Sequence, residues 1–127
     1  MGNTFVKTGH APEPIGPYNQ AVLAGNTLYV SGQIAINPES GKLEQVNIFV
    51  ETCRVLQNVE AILKEAGMGF ENVVKSTIFI LDMNDFAKVN EVYAEYFKNN
   101  HPARETVEVS ALPKGVRVEI SVIAVKG

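Results

Sequence analysis

Apolar and polar positions along this chain change period several times, and each change marks an element. Residues 21–24 and 27–31 are short β-prone runs on either side of Gly25-Asn26, a pair whose tolerance of positive φ suits a two-residue hairpin. Asn37-Pro38-Glu39-Ser40-Gly41 is a turn by composition. Over residues 46–66 the period lengthens: Phe49, Cys53, Leu56, Val59, Ile62, Leu63 and Ala66 recur at three- and four-residue steps, which predicts an amphipathic helix with one buried stripe. Gly67 follows where a left-handed C-terminal cap belongs. Residues 73–81 are rich in β-branched side chains and read as a strand. Asp82, Asn84 and Asp85 are N-cap candidates for a second helix carrying Phe86, Val89, Tyr93, Tyr96 and Phe97 on one face and ending near Asn99-Asn100. Two closing strands, 105–111 and 116–125, are joined by Leu112-Pro113-Lys114-Gly115, whose Pro and Gly fit a tight turn.

The order β, β, α, β, α, β, β predicts an α+β fold: one mixed, mostly antiparallel sheet with two helices packed on one face. With 127 residues, 46% of them hydrophobic, a single domain spanning 1–127 has one core and no room for a second. The last strand carries Val116, Val118, Ile120, Val122 and Ala124 on one side and Arg117, Glu119, Ser121, Ile123 and Val125 on the other. If the helices cover the first side, Ile123 and Val125 are left on the second, so that side is expected to be covered by other subunits.

Charge narrows the partners. The balance of 11 basic against 14 acidic residues, net -3, has no basic tail and no run of like charges, so nothing electrostatic points to nucleic acid or an anionic membrane. Cys53 is the only cysteine, which excludes an intramolecular disulfide and fits a reducing compartment. No stretch approaches the roughly 20 apolar residues that span a bilayer. Residues 1–7 hold no long apolar segment, and Val6 stands where a myristoylation motif at Gly2 wants Ser or Thr. A soluble, cytoplasmic protein is expected. His10 and His101 have no metal-ligand spacing, and neither Gly16-Pro17-Tyr18 nor Ser31-Gly32-Gln33 is a phosphate loop or a serine elbow. Neither a metal nor a cofactor is expected.

Three polar residues stand where apolar ones would. Asn90 falls on the apolar stripe of the second helix, between Phe86 and Tyr93, where an unpaired amide is costly and needs a partner. Arg104 lies at the mouth of the first closing strand and Glu119 in the middle of the second. Pairing Leu112 with Gly115 puts Arg104, Thr106, Glu119 and Ser121 on one sheet face, a register that a one-residue slip would break. An arginine on a face covered by another subunit is suited to grip a carboxylate through two parallel hydrogen bonds, with a glutamate near it to activate water. Spacing alone favours a blander reading, an interface ion pair and a loop-capping amide, because buried charge pairs are commonly structural. Tyr18 reads as a packing lid, Cys53 as a small core hydrophobe, and Glu105, Glu108 and Arg117 as edge or surface charges.

Five ordered segments add what spacing does not. Ile15-Gly16-Pro17-Tyr18-Asn19-Gln20, Val30-Ser31-Gly32-Gln33-Ile34, Asn84-Asp85-Phe86 with Val89-Asn90, Pro102-Ala103-Arg104, and Leu112-Pro113-Lys114 leading to Val118-Glu119-Ile120 resemble the RidA/YjgF family of reactive-intermediate deaminases over nearly the whole chain. The resemblance implies a chorismate-mutase-like α+β fold in a homotrimer whose sheets line the centre, with three sites in the clefts between subunits. It makes Arg104 the residue that holds a substrate carboxylate and Glu119 the one that positions or activates water. Tyr18, Ser31 and Asn90 would line the same cleft, and backbone groups near Thr106 would contact the nitrogen. The implied reaction is hydrolytic deamination of 2-aminoacrylate, 2-aminocrotonate and their imine forms to 2-keto acids and ammonia. Two positions depart from the pattern. Many family members carry cysteine at the place of Thr106, and a small residue where Glu105 stands. A carboxylate there would compete for Arg104, but strand alternation points Glu105 to the opposite face. Two other readings stay open: a regulatory module that binds keto acids in the inter-subunit cleft, and an endoribonuclease or translation inhibitor, which the acidic balance opposes.

Overall fold

The segments of period two and three-to-four form the elements they predict, with one strand added and one pairing changed. In the computed structural model, which describes residues 2–127, the elements are β1 (Thr4–Val6), β2 (Ala21–Ala24), β3 (Thr27–Gln33), α1 (Ile48–Glu65), β4 (Val73–Ile80), α2 (Phe86–Tyr96), β5 (Ala103–Glu108) and β6 (Val118–Val125). The strands form one sheet in the order β1-β2-β3-β6-β4-β5. β2 and β3 make the expected hairpin, closed at Ala24 and Thr27, with Gly25 at φ +60 supplying the left-handed turn residue. β1 lies antiparallel on β2 with Phe5 opposite Val22; three residues are too few for alternation to announce it.

α1 begins at Asn47, whose side-chain oxygen accepts from the Val50 N–H at 2.9 Å, and its C-terminus is followed by Gly67 at φ +73. Its buried stripe runs through Ile48, Thr52, Val55, Leu56, Val59, Ile62 and Leu63, while Phe49 is exposed and Cys53 half-buried. The N-terminal half of the expected stripe is therefore rotated. The reason is polar. Glu51 and Asn58 are fully buried on α1, and both are satisfied by partners distant in sequence. The Glu51 carboxylate accepts from the Arg117 backbone N–H and from its Nε, each at 2.7 Å. The Asn58 amide donates to the Ile34 and Ile36 carbonyls at 3.1 and 3.0 Å. Arg117, expected as a surface charge, is instead the partner of a buried carboxylate and also donates to the Gln45 carbonyl at 2.7 Å.

The alternation of β6 holds: Val118, Ile120, Val122 and Ala124 are buried under the helices, with Glu119, Ser121 and Ile123 on the opposite side. The expected hairpin between the closing strands does not form. α2 carries the chain back along β4, so β5 starts at the same end and pairs with β4 in parallel, Ser76 opposite Arg104. Residues 109–117 then lead to the other edge of β4, where β6 inserts antiparallel between β3 and β4 with Val122 opposite Ser76 and Tyr29 opposite Ile123. The turn at Pro113–Gly115 is present, with Lys114 at φ 58 and Gly115 at φ 69, but it bends that connection rather than joining paired strands.

The corrected topology moves the candidate residues. Residues opposite one another in a sheet share a face, so Arg104 lies in a row with Ser76 and Val122 toward the helices. Glu119 lies in a row with Phe79 and Val107 on the open face. The expectation that Arg104 and Thr106 share a face with Glu119 and Ser121 is overturned, because the register through β4 aligns Arg104 with Val122 and Thr106 with Ile120, one residue out of phase with Glu119 and Ser121.

Candidate active site

Arg104 leaves β5 on the helix side and meets two rings of α2. Its guanidinium carbon lies 4.9 Å from the Tyr93 ring centroid and 5.7 Å from that of Phe86, within range of cation–π attraction. The two ion pairs among the described residues are Lys75–Glu105 at 3.3 Å and Arg117–Glu51 at 2.7 Å. Among the described residues Arg104 thus has no carboxylate partner, and Glu105 is turned to the open face as alternation requires. Arg104, Asn90, Tyr93, Ala94 and Phe97 line one open depression of about 310 Å³. Asn90 is half-buried there, one turn before Tyr93. Thr106 follows Arg104 by two residues and so faces the same way; its hydroxyl oxygen is buried and has no hydrogen-bond partner.

Tyr18, Ser31 and Glu119 gather elsewhere. β3 is irregular between Val30 and Gln33, and the irregularity holds Ser31 and Gly32. The Ser31 hydroxyl donates to the Asn19 carbonyl at 2.6 Å, tying β3 to the segment that carries Tyr18. Tyr18 is 46% exposed and walls a groove with Ile15, Gly32 and Ile34, while its hydroxyl accepts from the Ile15 N–H at 3.3 Å. Glu119 lies against Gly32 so closely that a Cβ at that position would collide with its carboxylate. Burial pushes the Glu119 carboxyl above its ordinary value, which moves a potential proton acceptor toward neutrality.

The candidate residues therefore fall into two separate groups: Asn90, Arg104 and Thr106 on the helix side of the sheet, and Tyr18, Ser31 and Glu119 on the other. Two strand spacings and three residues of rise separate the Arg104 and Glu119 backbones, roughly 14 Å, with the side chains pointing apart. Sequence reasoning did not single out Ser76 and Tyr93 as neighbours of Arg104, or Gly32 as the neighbour of Glu119. Tyr93 looked like core, and only the spacing Asn90-Tyr93, one turn along a helix, could have hinted at it. Among the described residues, no three His, Cys, Asp or Glu side chains gather as metal ligands, and no helix is long and apolar enough to cross a membrane.

Known proteins carry the same fold and much of the same sequence. The family profile described as endoribonuclease L-PSP matches residues 8–126. The human protein named 2-iminobutanoate/2-iminopropanoate deaminase is 50% identical over 122 residues, covering 96% of this chain and 89% of that protein. The crystal structure of YyfA from Yersinia pestis, described as a conserved Rid family protein of unknown function, superimposes with a TM-score of 0.96 at 49% identity, covering 98% of this chain and 100% of the other. Escherichia coli TdcF, solved with bound serine, gives 0.94 at 39% identity, covering 98% and 99%. These likenesses, spanning both groups of candidate residues, bear out the resemblance of the five segments: the chain belongs to the endoribonuclease L-PSP family, that of the RidA and YjgF proteins.

Proposed function

We propose that this protein is a deaminase that hydrolyses short 2-imino acids, and the enamines that tautomerise to them, to 2-keto acids and ammonia, in clefts between the subunits of a homotrimer. The observation that carries the reading is Arg104: a guanidinium held beside two aromatic rings with no carboxylate partner among the described residues. A fixed, unpaired guanidinium on a depression is matched by a small carboxylate, which it would take through two parallel hydrogen bonds. The mammalian relatives' names and the serine held by TdcF point to ligands with such a group.

The second group of residues belongs to a neighbouring subunit on this reading. No three- or four-carbon acid bridges Arg104 and Glu119 of one chain, whereas the uncovered sheet face gives a second copy a surface to meet. That face presents Phe5 and Tyr29, 66% and 51% exposed, beside Val22, Phe79, Val107 and Ile123. With Arg104 holding the carboxylate and Asn90 and the backbone near Thr106 orienting the nitrogen, the Glu119 carboxylate of the neighbour takes a proton from water as its oxygen adds to the imine carbon, and delivers that proton to the imine nitrogen. The tetrahedral carbinolamine passes its hydroxyl proton toward nitrogen, the C–N bond breaks, and ammonia leaves the 2-keto acid. Imines already hydrolyse in water, so positioning and one general base suffice.

The test is keto-acid release from 2-aminoacrylate generated in situ by a pyridoxal-phosphate lyase. Wild-type protein is expected to accelerate release and Arg104→Ala to match the uncatalysed rate. A folded wild-type protein that gives no acceleration, yet still binds 2-oxobutanoate, would leave a keto-acid binding module in place of an enzyme.

A further inference from the structure

We propose that Tyr93 and Ser76 are a positioning pair for Arg104, setting the affinity of the site for carboxylates by holding its guanidinium in place. The proposal rests on the reading of Arg104 as the carboxylate grip. Ser76 is fully buried in β4 and is the residue directly opposite Arg104 in the parallel ladder. The Tyr93 hydroxyl donates to the Ser76 hydroxyl at 2.8 Å. That bond ties the tip of the Tyr93 side chain to the strand position beside Arg104, leaving the ring 4.9 Å from the guanidinium. Phe97 stacks on Tyr93, centroids 4.2 Å apart at 20°, and is itself met edge-on by Phe70 at 4.9 Å. The ring is thus held by its neighbour and by its hydroxyl, and the arginine is held by the ring.

An arginine side chain has several rotors, and ordering it on binding costs affinity. Confinement beside Tyr93 and Phe86 incurs that cost during folding, before any ligand arrives. Burial also raises the Tyr93 phenol above its ordinary value, more than the Ser76 hydrogen bond and the Arg104 charge lower it. The ring beside the guanidinium therefore stays neutral through the physiological range, and no phenolate competes with a substrate carboxylate.

Tyr93→Phe keeps the ring and removes the anchor; Ser76→Ala removes the same bond from the other side. Each is expected to raise KM, and the dissociation constant for 2-oxobutanoate measured by calorimetry, about three- to tenfold with kcat within twofold of wild type. The double variant is expected to bind no worse than either single one, since one bond is lost in all three. In an Arg104→Ala background, Tyr93→Phe is expected to change residual binding by less than twofold. Unchanged KM and binding in both single variants would overturn the proposal, as would a fall in kcat alone or an equal loss with and without Arg104. Absent wild-type turnover would sink the deaminase reading by itself, while the binding cycle would still decide the positioning role.

Discussion

Because burial raises the Glu119 carboxyl, its pKa in the folded protein lies above its value in the unfolded chain, and ionising it disfavours the fold. The stability of the protonated form is fully present below the ordinary value of 4.5 and is lost as pH rises through the higher folded value. Glu119→Gln is accordingly expected to raise the thermal midpoint at pH 7, by a margin over wild type that closes below pH 4.5, while turnover collapses; a lower midpoint at pH 7 would contradict this. Thr106 makes a parallel case with a neutral group. Its hydroxyl oxygen is buried without a partner, so Thr106→Val, which keeps the shape, is expected to gain about 1 kcal/mol in denaturant unfolding, and a loss of that size would mean the hydroxyl is satisfied after all. Sequence singled out Asn90, Arg104 and Glu119 because polar side chains broke an apolar pattern and matched a family motif, and Thr106 only through its place beside Arg104. Gly32 was visible only as part of such a motif: its role depends on the Glu119 carboxylate, which the chain brings to it from 87 residues away, 119 less 32.

Elements were legible where period and length agreed. The hairpin around Gly25, α1 and the alternating β6 follow from local rules, and each is confirmed by its neighbours. What failed was pairing. Two strands joined by a Pro-Gly turn look like a hairpin, and no local feature records that α2 has already committed β5 to the far edge of β4. The α1 stripe was misplaced for a related reason: hydrophobicity marks Phe49 as core and Glu51 as surface, and only Arg117, just before the last strand, reverses that. Removing one partner of such a pair leaves the other uncompensated, so Glu51→Ala is expected to cost about 3 kcal/mol in urea unfolding. A cost under about 0.5 kcal/mol would assign the contact no more weight than a surface ion pair.

At the scale of the whole molecule, the proposed reading asks for a second copy twice, to cover the open sheet face and to complete the proposed site. The wild-type protein is expected to sediment at three times the 13.8 kDa chain mass. Tyr29→Arg, on a side chain 51% exposed in the single chain, is expected to yield smaller, folded and inactive species by analytical ultracentrifugation; an intact, active trimer would place the interface elsewhere. The order of the sheet also bears on how the chain is made. β6 is the last strand in sequence but sits between β3 and β4, so before it emerges from the ribosome the nascent chain holds two separate strand groups, each with an unpaired edge. Those edges are templates for any extended segment, including the same segment on a neighbouring polysome. The interval before β6 docks is the time of greatest aggregation risk, and a holdase that shields β3 and β4 until β6 docks is expected to raise the yield of native protein more than one acting on the finished fold.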